Sequence, residues 1–215
     1  MSRGVGHSPE DAIFNKRSIR VTASAKLDRT PWFRLVQTAY KDPFFANRAS
    51  RFTPSSWRFP CVYLAVDKQT TVAEAFGDRM ALAQGAGMRV FSIPRAVADG
   101  YRSSTVETLP SDLKICNLTD AETLQNTGLN ISSYHLADIH VPQLWAERIA
   151  NHPATFDGIH YRSRHTDRHC LAIWIRPGAT RDITAEIQFH DSGKFRHSHE
   201  AYASAALRGL TLSFL

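Results

Sequence analysis

Five side chains of this 215-residue chain have the chemistry to hold or transform an anionic small molecule: Arg34, Arg51, Tyr63, Glu74 and Ser163. Arg34 interrupts the apolar run Trp32-Phe33-Arg34-Leu35-Val36. Burying a guanidinium is costly unless it meets an anion. The alternatives for Arg34 are an outward position on the strand or an ion pair with a core carboxylate. Arg51 lies in a basic stretch with Arg48 and Arg58. Guanidinium forks match phosphate oxygens two at a time, so this stretch can clamp a diphosphate. A solvated basic loop fits the same residues. Tyr63 is central in Cys-Val-Tyr-Leu-Ala-Val and shares a face with Cys61 and Ala65 on an alternating strand. It is either core or a flat face for a planar ring. Glu74 falls on the following helix, nearly opposite the side formed by Val72, Phe76, Arg79 and Ala83. That geometry fits a solvent-facing acid, the third-position acid of a Thr71-x-x-Glu74 capping box, or a carboxylate facing a cleft. Ser163 ends a strand and shares a face with Ile159 and Tyr161. Its hydroxyl can hold a ligand or simply begin a turn.

Other chemistries have weaker support. The sequence contains no Walker loop, G-x-G-x-x-G, H-E-x-x-H or G-x-S-x-G. His160, His165 and His169 flank the basic segment Arg162–Arg168, which suits a nucleic-acid binder or nuclease, but aromatic interleaving is sparse. His165 and His169 are four apart, and His197-x-His199 is close-spaced, yet neither pair lies on an expected helix. No metal site is therefore expected. A non-catalytic interaction domain is the remaining alternative.

The elements that must carry these groups follow from local pattern. Ser8-Pro9-Glu10-Asp11 predicts a short helix to about Arg17, and residues 21–30 read as a connector. Strands are expected at 32–36, Cys61–Val66, Met88–Ile93, Leu113–Leu118, Phe156–Tyr161, Cys170–Ile175 and Ile183–Phe189. Helices are expected at Lys68–Ala83, capped by Asp67 and ended by Gly85 and Gly87, and at Thr119–Asn126, Val141–Asn151 and Glu200–Leu207. Residues 47–60 read as an irregular loop. The alternation is irregular, without sustained βαβ order, so the class is α+β.

Composition sets the frame. Hydrophobic residues make up 43%, enough for a core. The balance of 26 Lys+Arg against 20 Asp+Glu gives a net charge of +6 and favours anionic partners. Cys61, Cys116 and Cys170 are odd in number and widely spaced, so a disulfide framework is not expected and a reducing cytoplasm is the natural compartment. No apolar run approaches the ~20 residues of a membrane span, and residues 1–16 lack the apolar stretch of a secretory signal.

Taken together, the segments Trp32-Phe33-Arg34-Leu35-Val36, Arg51-Phe52-Thr53-Pro54, Val62-Tyr63-Leu64-Ala65, Thr71-Val72-Ala73-Glu74-Ala75-Phe76 and Phe156-Asp157-Gly158-Ile159-His160-Tyr161-Arg162-Ser163-Arg164 resemble the RES family, in that family's order. The match runs from about Pro31 to Ile175, leaving residues 1–30 as an N-terminal extension to a domain spanning 31–215. The resemblance implies a split, mostly antiparallel sheet with flanking helices, similar to ADP-ribosylating toxins, around a cleft for NAD+. It implies cleavage of the nicotinamide–ribose bond by hydrolysis or phosphorolysis, with protein ADP-ribosylation as the alternative. NAD+ would be a substrate and inorganic phosphate a possible co-substrate, with no prosthetic group. By position, Glu74, Ser163 and Arg34 would be catalytic, and Arg34, Arg51, Tyr63 and Ser163 would hold the dinucleotide. A cognate antitoxin of Xre type is the implied protein partner, with nucleic acid met only through it; a homo-oligomer is compatible. Where the family often has Gly-Gly-Arg-Trp-Asn, this chain has Arg48-Ala49-Ser50-Arg51-Phe52, so Arg48 and Arg51 both remain candidates for the loop arginine.

Overall fold

The computed structural model describes residues 19–22, 27, 31–38, 50–54, 61–129, 139–176, 183–195 and 199–215. The expected helix at 8–17, Arg48, Arg58 and His197 lie outside the described residues. In chain order the elements are β1 (Trp32–Gln37), β2 (Cys61–Ala65), α1 (Lys68–Gly85), β3 (Val90–Ile93), α2 (Arg95–Asp99), β4 (Tyr101–Thr108), β5 (Ile115–Asn117) and α3 (Ala121–Thr127). They continue with α4 (His140–Ala150), β6 (Gly158–Arg162), β7 (His169–Trp174), α5 (Ile183–Glu186), β8 (Gln188–Lys194), α6 (His199–Ala206) and β9 (Thr211–Phe214).

Seven strands form one sheet in the order β5-β6-β7-β2-β1-β4-β8, and β3 pairs with β9 in a separate ribbon. Within the large sheet only the β5–β6 pairing is parallel; the others are antiparallel. The fold is therefore α+β with a largely antiparallel sheet, as expected. The sheet is weakly joined at its middle. β1 meets β2 at one register pair, Phe33↔Ala65, whereas it pairs with β4 along its whole length, from Trp32↔Val106 to Gln37↔Tyr101. The two halves part at this junction, and the site opens there.

Alternation sorts the side chains of the central strands. Cys61 and Ala65 of β2, Ile159 and Tyr161 of β6, and Cys170, Ala172 and Trp174 of β7 pack on one face with Ala146 and Ile149 of α4. Val62, Leu64, Leu171 and Ile173 pack on the other with Trp32 and Leu27. Val72, Phe76 and Met80 of α1 meet Phe195, Ala201 and Ala205 in a third cluster, and each of the larger buried side chains contributes about 1.5–3 kcal/mol. Gly158 is required where β6 pairs with β7, since a Cβ there would lie 2.3 Å from the Ala172 carbonyl oxygen.

Asp67 caps α1 as expected, accepting from the Thr70 amide. The capping box at Thr71 and Glu74 does not form. Thr71 is inside the helix, and its hydroxyl donates to the Lys68 carbonyl. Ile183–Phe189 is not a single strand: Ile183–Glu186 is a turn of helix, and the strand begins at Gln188. The apolar spacing of Ile183 and Ile187 serves that turn, with both residues buried. β4 carries no apolar alternation that the sequence would reveal; its strand character comes from pairing with β1 and β8. Among the described residues, no helix is long and apolar enough to cross a membrane.

Candidate active site

Three elements converge beside the parted strands: the N-terminal half of α1, the end of β6 with the loop after it, and the 50–53 loop. They enclose a hollow of about 300 Å3 whose walls include Arg51, Tyr63, Glu74, Asp78, Tyr161 and Arg164. Leu35 of β1 and Ile139, just before α4, add apolar wall. A few convergent polar groups in an otherwise apolar concavity are the usual make-up of a small-molecule site.

The carboxylate of Glu74 is the centre of the arrangement. The Ser163 hydroxyl donates to Glu74 Oε1 at 2.6 Å, and the Tyr161 hydroxyl donates to Oε2 at 3.4 Å. Both donors come from one face of the β6 strand, since Tyr161 and Ser163 are two residues apart. Ser163 is fully buried while Glu74 keeps an exposed surface towards the hollow. Loss of hydration around the carboxyl group holds its pKa above the usual carboxylate range; the Ser163 bond, then the charges of Arg164 and Arg51, act against that rise. Ser163 is itself fixed. Its Oγ accepts from the His165 amide at 3.2 Å, and its amide and carbonyl bond Arg168 and Asp167.

Tyr63 holds the arginine loop in place. Its hydroxyl accepts from Ser50 Oγ at 2.5 Å and from the Phe52 amide at 3.0 Å, on either side of Arg51. The Phe52 carbonyl in turn accepts from Trp174 Nε1 at 2.8 Å, and the Ser50 carbonyl from Gln143 Nε2 at 3.1 Å. Arg51 is thus presented to the hollow from a pinned loop. Burial, then the neighbouring Arg164 charge, lowers the Arg51 pKa, with Glu74 and Asp78 acting in the other direction. Desolvation holds the Tyr63 and Tyr161 phenols well above their ordinary range, so both remain protonated.

His165 locks the loop against α1. Arg208 Nη2 lies 3.0 Å from its Nδ1. A guanidinium only donates, so Nδ1 is the acceptor and Nε2 carries the proton, towards Asp78 Oδ1 at 3.7 Å. Burial, then the charge of Arg164, lowers its pKa to about 4. Arg164 also pairs with Asp78. The helix approaches this close because residue 77 is glycine: a Cβ there would sit 2.6 Å from His165 Nδ1.

The structure brings Arg51, Tyr63, Glu74 and Ser163 together as one cluster. It does not bring Arg34 to the wall of the hollow. Arg34 is 5% exposed and alternates with Phe33 and Leu35, on the face of Trp32 and Val36. Its charge is felt at the Cys61 thiol at the start of β2. It thus lies on the opposite face of β1 from Leu35, which lines the hollow. The solvent-facing reading of Arg34 is excluded by its burial. Tyr161, Arg164 and Asp78 were not singled out by sequence reasoning. Signals for them existed: Tyr161 shares the Ser163 face, Arg164 adjoins it, and Asp78 stands four residues after Glu74 on one helix. The three cysteines are free and buried, and desolvation pushes the Cys61 thiol up to about 12, which makes it a poor nucleophile. His165 and His169 are separately engaged, His165 with Arg208 and His169 with His160. Among the described residues no group of three or more His, Cys, Asp or Glu is placed to hold a metal ion.

No curated protein matches the chain. Among solved structures, a chain of the M. tuberculosis MbcT–MbcA toxin–antitoxin complex superposes with a TM-score of 0.57 at 18% identity, covering 86% of this chain and 92% of that one. At that identity the likeness concerns the fold. The family model described as RES domain matches residues 26–207, which include every residue of the cluster, and the chain belongs to the RES domain family.

Proposed function

We propose that this protein consumes NAD+ by breaking the bond between nicotinamide and ribose, as the toxin of a toxin–antitoxin pair. The observation that carries the reading is the Glu74 carboxylate, gripped by Ser163 and Tyr161 and open to a hollow edged by Arg51 and Arg164. Nicotinamide departs from a cationic ring, and the electron pair of the broken C–N bond leaves with its nitrogen. The ribose passes through an oxocarbenium-like state. A fixed negative charge beside it is worth most where water is excluded. Glu74 supplies that charge and accepts from a ribose hydroxyl. Ser163 and Tyr161 hold the carboxylate in one orientation, so little reorganisation accompanies the reaction. Arg51 and Arg164 hold the diphosphate, and the Tyr63 ring bounds the nicotinamide end. Arg34, standing off the wall, adds positive charge from the opposite face of β1. The hollow is at the small end of ligand sites, which suits the reacting end of the dinucleotide.

The acceptor oxygen forms its bond to the ribose carbon and releases a proton to Glu74 or solvent. Water gives ADP-ribose, phosphate gives the ribosyl phosphate, and a protein side chain gives an ADP-ribosylated protein. RES membership and the likeness to a chain of a toxin–antitoxin complex support the toxin role, and the basic rim suits an acidic surface of an Xre-type antitoxin. Purified protein incubated with NAD+, with and without phosphate, should release nicotinamide, and the second product identifies the acceptor. Undiminished NAD+ under both conditions, with RNA or DNA degraded alongside, would favour the nuclease reading instead.

A further inference from the structure

Behind the loop that carries Ser163 lies a second hollow of about 310 Å3, bounded by Gln84, Arg164, His165, Thr166, Ser204 and Arg208. It lies between α1, this loop and the end of α6. Its lining is rich in donors. Arg164 and Arg208 bring guanidinium groups to its lining, Ser204 a hydroxyl and Gln84 an amide, while the Thr166 hydroxyl is bonded to that of Thr70 at 3.0 Å. None of its described lining residues is a carboxylate. Asp78, which pairs with Arg164, lines the first hollow instead. Arg208 gives one N–H to His165, and a guanidinium has five to give. Such a set matches a tetrahedral oxyanion, which accepts in several directions at once.

We propose that this second hollow binds a phosphate-type oxyanion, and that its occupancy is coupled to the candidate active site through Arg164 and His165, which line both hollows. The anion bound here is not the acceptor of the reaction. Ala73 borders the second hollow and Glu74 the first, and consecutive helical residues point roughly 100° apart. The anion sits beside the Ser163 loop, away from the Glu74 carboxylate. Its effect runs through Arg164. An oxyanion competes with Asp78 for that guanidinium, and Arg164 is one of the charges acting on Glu74. Binding at one hollow therefore alters the other, and the coupling is reciprocal.

The test uses inorganic phosphate and sulfate as probes, with chloride at matched ionic strength as reference. Sulfate has the shape and charge of phosphate but does not serve as an acceptor. Calorimetric titration and thermal unfolding of the full chain should show binding of both ions. Arg208→Ala should weaken phosphate binding at least tenfold. So should Leu207→Glu, which sets a carboxylate at the mouth of the hollow on a residue 66% exposed, where folding is undisturbed. Arg51→Ala and Glu74→Gln leave the lining of the second hollow intact and should shift binding of both ions by only a few-fold, as the reciprocal coupling requires, well short of the loss in Arg208→Ala. Phosphate binding that survives Arg208→Ala and Leu207→Glu, or that disappears in Arg51→Ala alone, would overturn the site. Sulfate should change NAD+ turnover at least twofold in the wild type and leave Leu207→Glu unaffected; equal responses would refute the coupling. The binding arm needs no NAD+ chemistry, so it stands or falls apart from the proposed reaction.

Discussion

Tyr161 and His160 are neighbours on β6, and they serve opposite faces of the same sheet. Tyr161 points to the hollow and gives its hydroxyl to Glu74. His160, fully buried, bonds Thr22 through Nδ1 at 3.1 Å and His169 through Nε2 at 2.9 Å. Trp32 meets it edge-on with ring centroids 6.4 Å apart. Both faces carry buried polar groups of the kind that suggest function. On the back face both ring nitrogens of His160 are answered by other protein atoms, and the network ties the Thr22 segment to the sheet. On the front face the donors converge on a carboxylate that still faces open space. What separates a site from a satisfied core is therefore the accessible group at the end of the network.

The sharpest way to break this distinction is Glu74→Gln. The amide keeps the size of the side chain and removes the charge. Turnover of NAD+ should fall by about 10²–10³-fold, the usual loss on removing one preorganised electrostatic group. Binding of NAD+ and the thermal midpoint should change little. Turnover near wild type would return Glu74 to the status of a surface acid. Ser163→Ala comes next. A hydrogen bond to a charged group is worth about 1.5–3 kcal/mol, which corresponds to roughly ten- to a hundredfold in rate. The loss should appear in kcat rather than KM, because the hydroxyl orients Glu74 and does not itself carry the substrate.

Gly77→Ala probes the positioning from behind. The new methyl group collides with His165, whose amide holds Ser163. Overpacking of this kind costs about 1–3 kcal/mol. Stability and turnover should decline together, with turnover down roughly tenfold by the same conversion. A variant that loses stability but keeps full turnover would show that the Ser163 loop does not depend on this contact. His160→Leu makes the converse test on the back face. Removing the ring deprives Thr22 and His169 of a partner in the core, at about 1–3 kcal/mol. Turnover per folded molecule should stay within about twofold, far below the loss expected of a charge-bearing site group. A large loss of kcat there, with stability intact, would erase the difference between the two faces.

Much of this arrangement was legible in the sequence, for a physical reason. Ile159, Tyr161 and Ser163 obey the two-residue period of a strand, as do Cys61, Tyr63 and Ala65 on another, so the face of each set could be read from the sequence alone. Asp67 announced the start of α1 by its capping chemistry. Glu74 was less legible, because the helical wheel separates it from the apolar side without saying what stands opposite. Its partner residue, Ser163, is 89 positions away, and no local rule links them. Arg34 misled for a related reason. Its presence in an apolar strand signalled burial, which the structure shows, but the face it occupies depends on the register of β1 against β2, a non-local property. β4 was invisible for the same cause, since its polar sequence becomes a strand only through its neighbours.

At neutral pH the smallest expected effect, one that grows only in acid, separates a packing histidine from a charged one. His165 is held neutral, with Nδ1 accepting from Arg208 and the ring buried against α1. Its pKa in the fold is about 4, against about 6.5 in the unfolded chain. Between those values the unfolded chain binds a proton that the folded protein refuses. Stability is then complete above pH ~6.5, falls as the pH drops towards ~4, and changes no further below it on this account. The slope cannot exceed about 1.4 kcal/mol per pH unit for one group. His165→Gln keeps an acceptor for Arg208 and has nothing to titrate. Urea midpoints of wild type and variant, measured from pH 4 to 7, should converge towards the acid end as the wild type alone loses this contribution. Glu74 and the other carboxylates titrate in both proteins and cancel in the difference. Parallel curves would mean that His165 accepts its proton in the fold as readily as in the unfolded chain, and the bond from Arg208 would then not be what fixes the loop.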